Sequence, residues 1–174
     1  WSGKASKAHF LEDVYNTVSD LPIELIIIAD KPPLLNVPYK FVQWRYETFP
    51  EEIVKGDICI SPRILDNSYD YGHSNFKIVV FLAQGVPVLA SPQDSYLEVV
   101  NNGDNGFICP DLQSWRSNLL HLIEHRSLLQ EMPEKCIQSA EPYLTENVIR
   151  SYDQLLRQLV ADNVHNFYQN LKIG

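Results

Sequence analysis

Long apolar segments are missing from this sequence of 174 residues. A membrane-spanning helix needs about 20 consecutive, mainly apolar residues, and no run here approaches that length. A recognisable signal peptide does not open the sequence either. We therefore expect a chain without a transmembrane segment.

Positive charge is also scarce. The sequence has 14 Lys and Arg residues against 22 Asp and Glu residues, for a net charge of −8. Surfaces that bind nucleic acid are usually basic, with their Lys and Arg residues clustered. The composition therefore argues against a nucleic-acid partner.

Cysteines are few, and none lies in a Cys-x-x-Cys or Cys/His cluster. Because Cys59, Cys109 and Cys136 are an odd number, they cannot all pair within the chain. A reducing, cytoplasmic setting fits best, either free or peripheral to the inner face of a membrane. Asp-x-Asp and His-Glu-x-x-His motifs are absent, so we predict no metal and no cofactor. P-loop and Gly-x-Ser-x-Gly motifs are absent too.

What is present is the composition of an ordinary globular domain, with 45% hydrophobic and 21% charged residues. We expect a single domain over residues 1–174, with an α/β core at 1–110 and a helical tail at 111–174. The sequence begins at Trp1, and its only methionine is Met132. We therefore expect the chain to be a piece of a longer protein.

Apolar runs alternate with amphipathic segments over the first 110 residues. Buried strands are predicted at residues 25–30 and 57–62, and further strands at 40–45, 87–91 and 107–109. Helices are predicted at residues 5–19, 49–55, 74–84 and 95–101, and from residue 111 onward. This alternation predicts βαβ units, and hence a doubly wound, Rossmann-like parallel sheet with helices on both faces and a helical C-terminal tail.

Ligands of such sheets bind beyond the carboxyl ends of the strands. Three loops leave those ends, at residues 31–38, 63–73 and 91–95. The second is long, polar and aromatic; it begins with Arg63, which can reach a phosphate, and ends with His73, which can contact a phosphate or a sugar. The third begins with Ser91.

The helix that follows the second loop is apolar nearly all round, and its only charge is Lys77, in the first turn. A cation there opposes the helix dipole, which makes physical sense if an anion shares the site. First-turn N–H groups, with Ser74 and Asn75, would bind the same anion. The alternative is that Lys77 reaches solvent or pairs with Asp70.

Four segments resemble the C-terminal half of glycosyltransferases of the group 1, or family 4, type, which have the GT-B fold. They are Ser74-Asn75-Phe76-Lys77, Gly85-Val86-Pro87-Val88-Leu89-Ala90-Ser91, Tyr96-Leu97-Glu98 and Asn102-Gly103-Asp104-Asn105-Gly106-Phe107. The resemblance spans residues 1–110, and Trp1-Ser2-Gly3 matches the end of the first strand.

The resemblance implies that this half binds a nucleotide-sugar donor, whereas an N-terminal half, absent from this chain, binds the acceptor. Basic residues after the first strand, here Lys4 or Lys7, would hold the diphosphate. Tyr96 and Glu98 fall in the block that serves the donor. The fragment alone should be inactive, and the implied role of the whole protein is transfer of a sugar to a hydroxyl of a glycan, lipid or other acceptor, as in polysaccharide biosynthesis.

The sequence departs from the family at two positions. Many members carry two glutamates eight residues apart, of which the second usually receives the ribose hydroxyls; Gly72 and Val80 stand at those positions here. This keeps two other functions open, another GT-B enzyme such as a nucleotide-sugar epimerase and a non-enzymatic α/β binding module. The end of the tail makes a smaller prediction, since residues 163–173 form a partly apolar face that we expect to be exposed or to pack on a neighbour.

Overall fold

The computed structural model describes residues 1–66 and 68–171, and the side chains of all of these except 69, 70 and 162–171. The strands are β1 (Ser2–Gly3), β2 (Ile26–Ala29), β3 (Lys40–Gln43), β4 (Cys59–Ser61), β5 (Val88–Ala90) and β6 (Gly106–Ile108). The helices are α1 (Phe10–Val18), α2 (Phe49–Ile53), α3 (Ser68–Tyr71), α4 (Phe76–Leu82), α5 (Asp94–Leu97), α6 (Leu112–Glu124), α7 (Leu128–Ala140) and α8 (Thr145–Leu171). Short 3₁₀ turns lie at Ala5–Lys7 and Glu141–Tyr143.

Every strand pair in the described chain is parallel. β2 lies between β1 and β3 in one three-stranded sheet, and β5 lies between β4 and β6 in the other. Parallel neighbours need crossover connections, which here contain α1 between β1 and β2, α3 and α4 between β4 and β5, and α5 between β5 and β6. The predicted α/β fold with parallel strands is confirmed, with its strands divided between two sheets.

Several predicted helices are shorter in the structure. The helix predicted over residues 5–19 is a 3₁₀ turn at Ala5–Lys7 followed by α1. In the turn, the backbone N–H of Ala5 donates to Asp30 Oδ1 at 2.8 Å, an interaction that the 3.6-residue pattern cannot reveal. The loop predicted over 63–73 contains α3, and the helix predicted over 74–84 is α4.

The core has two parts in the unit formed by residues 1–140. The larger part joins β4 and β5 to α4, α6 and α7; its fully buried members include Ile78, Leu82, Leu122 and Met132. The smaller part surrounds the first sheet and contains Leu11 and Ile27. All three cysteines are buried free thiols.

Residues 141–174 form a second compact unit, whereas α6 and α7 belong to the first. The predicted apolar stripe of α6 is confirmed, because Trp115, Leu119 and Leu122 are buried. In α8, Ile149, Tyr152 and Leu156 are exposed. The face predicted over residues 163–173 lies outside the described side chains. No helix in the described chain is long and apolar enough to cross a membrane.

Candidate functional site

Lys77 lies where three segments meet at the carboxyl end of the first sheet. Its Nζ is 4.6 Å from the centroid of the Trp1 ring. Gly3, the last residue of β1, makes this possible, since a Cβ there would stand 2.7 Å from the Trp1 ring and 3.3 Å from Lys77 Nζ. The absence of a side chain at residue 3 thus leaves room for a stacked Trp–Lys pair.

The electrostatic surroundings of Lys77 are positive. Burial, followed by the charge of Arg63, lowers the pKa of Lys77 to about 8; Cys59 opposes these effects, and the charge of Lys7 adds the smallest lowering. Among the described side chains, no carboxylate forms an ion pair with Lys77. The structure therefore gathers cations at this point of a chain whose net charge is −8.

Arg63 is held in place by groups at the ends of β4 and β5. Its backbone N–H donates to Ser91 Oγ at 2.8 Å, and Ser91 Oγ donates back to the Arg63 carbonyl at 3.2 Å. Arg63 Nε donates to the hydroxyl of Tyr96 at 3.4 Å, and that hydroxyl is 3.1 Å from Ser61 Oγ. Because Tyr96 is fully buried, its hydroxyl holds the guanidinium of Arg63 from the interior of the domain.

The backbone before α4 is fixed from the β5–α5 connection. The His73 carbonyl accepts hydrogen bonds from Gln93 Nε2 and from Ser95 Oγ, the latter at 2.7 Å. Gln93 is fully buried, and its Nε2 also donates to Ser95 Oγ at 2.7 Å. The buried side chain of Gln93 thus fixes the backbone at His73, four residues before Lys77.

Three of the remaining predicted site residues, Lys4, Ser74 and Glu98, are exposed. Lys4 is exposed before the 3₁₀ turn, and Lys7 ends that turn. Ser74 is exposed and Asn75 is the N-cap of α4, without a side-chain capping bond. Glu98 is exposed at the end of α5. In the described part of the chain, no three His, Cys, Asp or Glu side chains converge to hold a metal ion.

A cavity of about 660 Å³ opens beside Lys77. Its walls include Trp44, Tyr46, Phe49, Phe76 and Val80. Tyr46 and Phe76 are largely in solvent, with exposed fractions of 79% and 72%, and Trp44 is 42% exposed. An apolar cavity with aromatic edges and one ammonium in its wall suits a ligand that has a flat, apolar part joined to an anion.

A second cavity, of about 370 Å³, lies near the amino ends of β2 and β4, with walls that include Val14, Ile26, Ile58 and Leu119. Ligands of parallel sheets bind at the opposite ends of the strands. Of the residues predicted to bind the donor, none lines this cavity in the described structure.

The sequence predicts Lys77 as a site residue, but it does not predict most of the residues that line the cavity beside Lys77. The sequence pattern predicts neither Phe76 nor Gln93 as a site residue. The available signal for Phe76 was a large aromatic residue directly before the only charge of an apolar helix. For Gln93 no signal was available, because its role depends on a carbonyl 20 residues away.

The family model for glycosyl transferases group 1 matches residues 6–125 of this chain. The chain therefore belongs to that family, and the predicted resemblance is confirmed. No curated protein matches the chain in sequence.

Solved structures show the same fold at low sequence identity. HepE from Anabaena, crystallised with UDP and glucose, has a TM-score of 0.69 at 15% identity, over 91% of this chain and 46% of that one. A structure of HepE with UDP alone gives 0.69 at 15% identity, over 92% and 47%. Sucrose-phosphate synthase from Thermosynechococcus elongatus gives 0.70 at 15% identity, over 92% and 44%. The chain thus spans less than half the length of these proteins.

Proposed function

We propose that this domain binds a nucleoside-diphosphate sugar and forms the donor half of a glycosyltransferase that moves the sugar to a hydroxyl group. The observation that carries the proposal is Lys77, a cation in the wall of an aromatic-lined cavity, with Arg63 and Lys7 adding positive charge. Family membership gives the class of reaction.

The cations fit the chemistry of a diphosphate leaving group. As the bond between sugar and diphosphate breaks, negative charge develops on the departing oxygen. Fixed positive groups at that position stabilise the transition state more than the ground state. Lys77 supplies a point charge and Arg63 a planar, multiply donating one. We expect this charge to be balanced without a metal ion.

The nucleoside part of the ligand occupies the cavity beside Lys77. With the diphosphate at Lys77, the base extends among Trp44, Tyr46 and Phe76, whose exposed faces can stack on it. HepE, a structural neighbour, was crystallised with UDP. Uridine nucleotides are therefore the first to test.

Binding of the acceptor is proposed from the share of the structural neighbours that this chain covers. Because this chain covers less than half of each of them, we expect a second domain to bind the acceptor, which is a glycan, a lipid or another hydroxyl compound. On its own, the present domain should bind nucleotide without transferring sugar. The free thiols support a cytoplasmic location.

Thermal unfolding with UDP, GDP, ADP and CMP tests the proposal. For a Kd of about 0.1 mM, roughly 5 mM ligand adds about 2.3 kcal/mol to the free energy of unfolding, which raises Tm by about 5 to 9 °C. Lys77→Met should lose this shift, while its free Tm stays equal or rises because a buried charge is removed.

The matched control is Lys40→Met, since Lys40 is exposed and paired with Glu24 at 2.8 Å. It should keep the full nucleotide shift. Absence of a shift with every nucleotide, or the same shift in Lys77→Met as in the unmodified protein, would contradict the proposal.

A further inference from the structure

One acidic side chain lines the cavity beside Lys77 in the described structure. It is Glu47, in the connection between β3 and α2, two residues before Phe49. The α4 side of the cavity has only Lys77 as a charged group, with Phe76, Val80 and Phe81 as its other members. Glu47 therefore supplies the one carboxylate among the described side chains of these walls, beside the hydroxyls of Ser2 and Tyr46.

Val80 lines the same cavity as Lys77, so a nucleotide with its phosphates at Lys77 can place its pentose against Val80. The two residues are three apart in α4 and both line the cavity, so they lie on neighbouring turns of one helix face. The pentose, which joins base to phosphate, then contacts an apolar wall at Val80. Its hydroxyls need acceptors elsewhere, and carboxylates commonly fill that role for the 2′-hydroxyl.

We propose that Glu47 accepts a hydrogen bond from the 2′-hydroxyl of the bound nucleotide and makes the site select ribonucleotides over 2′-deoxyribonucleotides. This assignment rests on the proposed function, because it requires a nucleotide in the cavity. Glu47 is exposed in the free protein, and a ligand that fills the cavity removes part of the water around its carboxylate. The hydrogen bond should then change affinity by about fivefold.

The sign of the effect separates this role from a general electrostatic one. A carboxylate near a diphosphate repels it. If Glu47 acted only through its charge, Glu47→Gln would bind nucleotide more tightly. If Glu47 holds the 2′-hydroxyl, Glu47→Gln binds the ribonucleotide more weakly and leaves the deoxyribonucleotide unchanged or slightly tighter.

The test is isothermal titration calorimetry with UDP and 2′-deoxyuridine diphosphate, on the unmodified chain, Glu47→Gln and Glu51→Gln. The GDP and ADP pairs are run in parallel, so that the comparison uses the base that binds. Glu51 is the matched control, an exposed glutamate in α2 that does not line the cavity. We expect UDP to bind about fivefold more tightly than its deoxy analogue to the unmodified chain and Glu51→Gln, and about equally to Glu47→Gln.

Two results overturn the assignment while the proposed function stands. One is equal binding of the two nucleotides by the unmodified chain, and the other is a ribose preference that persists in Glu47→Gln. If no ribonucleotide binds at all, the proposed function fails, and the assignment fails with it.

Discussion

At the scale of single residues, the ammonium of Lys77 has lost hydration without gaining a carboxylate among the described side chains. Burial disfavours the charged form, and Arg63 and Lys7 add repulsion, so the pKa falls to about 8. An anion at the ammonium favours the charged form and raises the pKa again. Nucleotide binding and protonation of Lys77 are therefore coupled.

This coupling predicts that nucleotide affinity falls as pH rises through 8. Below pH 8 Lys77 is already protonated in the free protein, whereas above it binding must recruit a proton. The phosphate groups keep their charge, because their second pKa is about 6. Calorimetry between pH 7 and 9.5 should show affinity declining and proton uptake increasing. Lys77→Met should give a flat, weak profile, and an equally flat profile in the unmodified protein would refute the coupling.

At single positions, the sequence predicts Lys77 as a site residue, but it does not predict which residues line the cavity beside it. Lys77 stands out because it is the only charge of an apolar helix. The cavity combines residues near positions 3, 44–50 and 76–81, and only tertiary packing brings these together. Tyr96 is fully buried and its hydroxyl accepts from Arg63 Nε at 3.4 Å, a contact that a sequence pattern cannot reveal; its role toward the donor stays a prediction.

At the scale of elements, α4 owes its end to Gly85. This residue has φ of +75°, its N–H donates to the Leu82 carbonyl at 2.9 Å, and the next N–H, of Val86, donates to Phe81 at 3.0 Å. These are the two bonds of a Schellman motif. A Cβ at Gly85 would also stand 3.2 Å from Pro133 Cβ in α7. The glycine therefore ends one helix and permits the close approach of another.

We predict that Gly85→Ala lowers the free energy of unfolding by about 1 to 2 kcal/mol, because an L-residue is strained in the left-handed region. The matched control is Gly56→Ala, since a Cβ at Gly56 has no neighbour closer than 3.8 Å and should change stability by less than about 0.5 kcal/mol. Urea unfolding of both variants measures the difference. Equal effects of the two substitutions would contradict this reading of α4.

The sequence predicts element types better than element lengths. Isoleucine-rich and valine-rich runs identify β2, β4 and β5, because strands buried on both faces must be apolar throughout. The 3₁₀ turn Ala5–Lys7, which precedes α1, instead contacts Asp30, whose carboxylate accepts from the Ala5 N–H at 2.8 Å; this bond is the main reason that the pKa of Asp30 is lowered. A contact between residues 25 apart cannot be predicted from the 3.6-residue periodicity of a helix.

At the scale of the whole molecule, Arg116 in α6 contacts the C-terminal end of α1 and the residues that follow it. Arg116 donates to both Asp20 carboxylate oxygens, at 2.6 and 2.7 Å, and to the Thr17 carbonyl at 2.8 Å. These bonds lower the pKa of Asp20 to about 2. Because the folded pKa is below the unfolded one, this contribution to stability is present above about pH 4 and is lost as pH falls towards 2.

We therefore predict that Asp20→Asn lowers Tm at pH 7 and that its difference from the unmodified protein shrinks as pH falls from 4 to 2. The difference should also shrink in high salt, because both side chains are solvent-accessible. Glu24→Gln is the control, since Glu24 is exposed and paired with the exposed Lys40. A Tm difference for Asp20→Asn that is constant across this pH range would contradict the account.

The central claim concerns the whole molecule, namely that this family member binds a nucleotide in the cavity beside Lys77. A crystal structure of the domain with the nucleotide that binds most tightly tests it most directly. The account predicts a phosphate oxygen within about 3 Å of Lys77 Nζ and a base stacked among Trp44, Tyr46 and Phe76. An ordered nucleotide whose phosphates lie away from Lys77, or whose base lies outside this cavity, would contradict it.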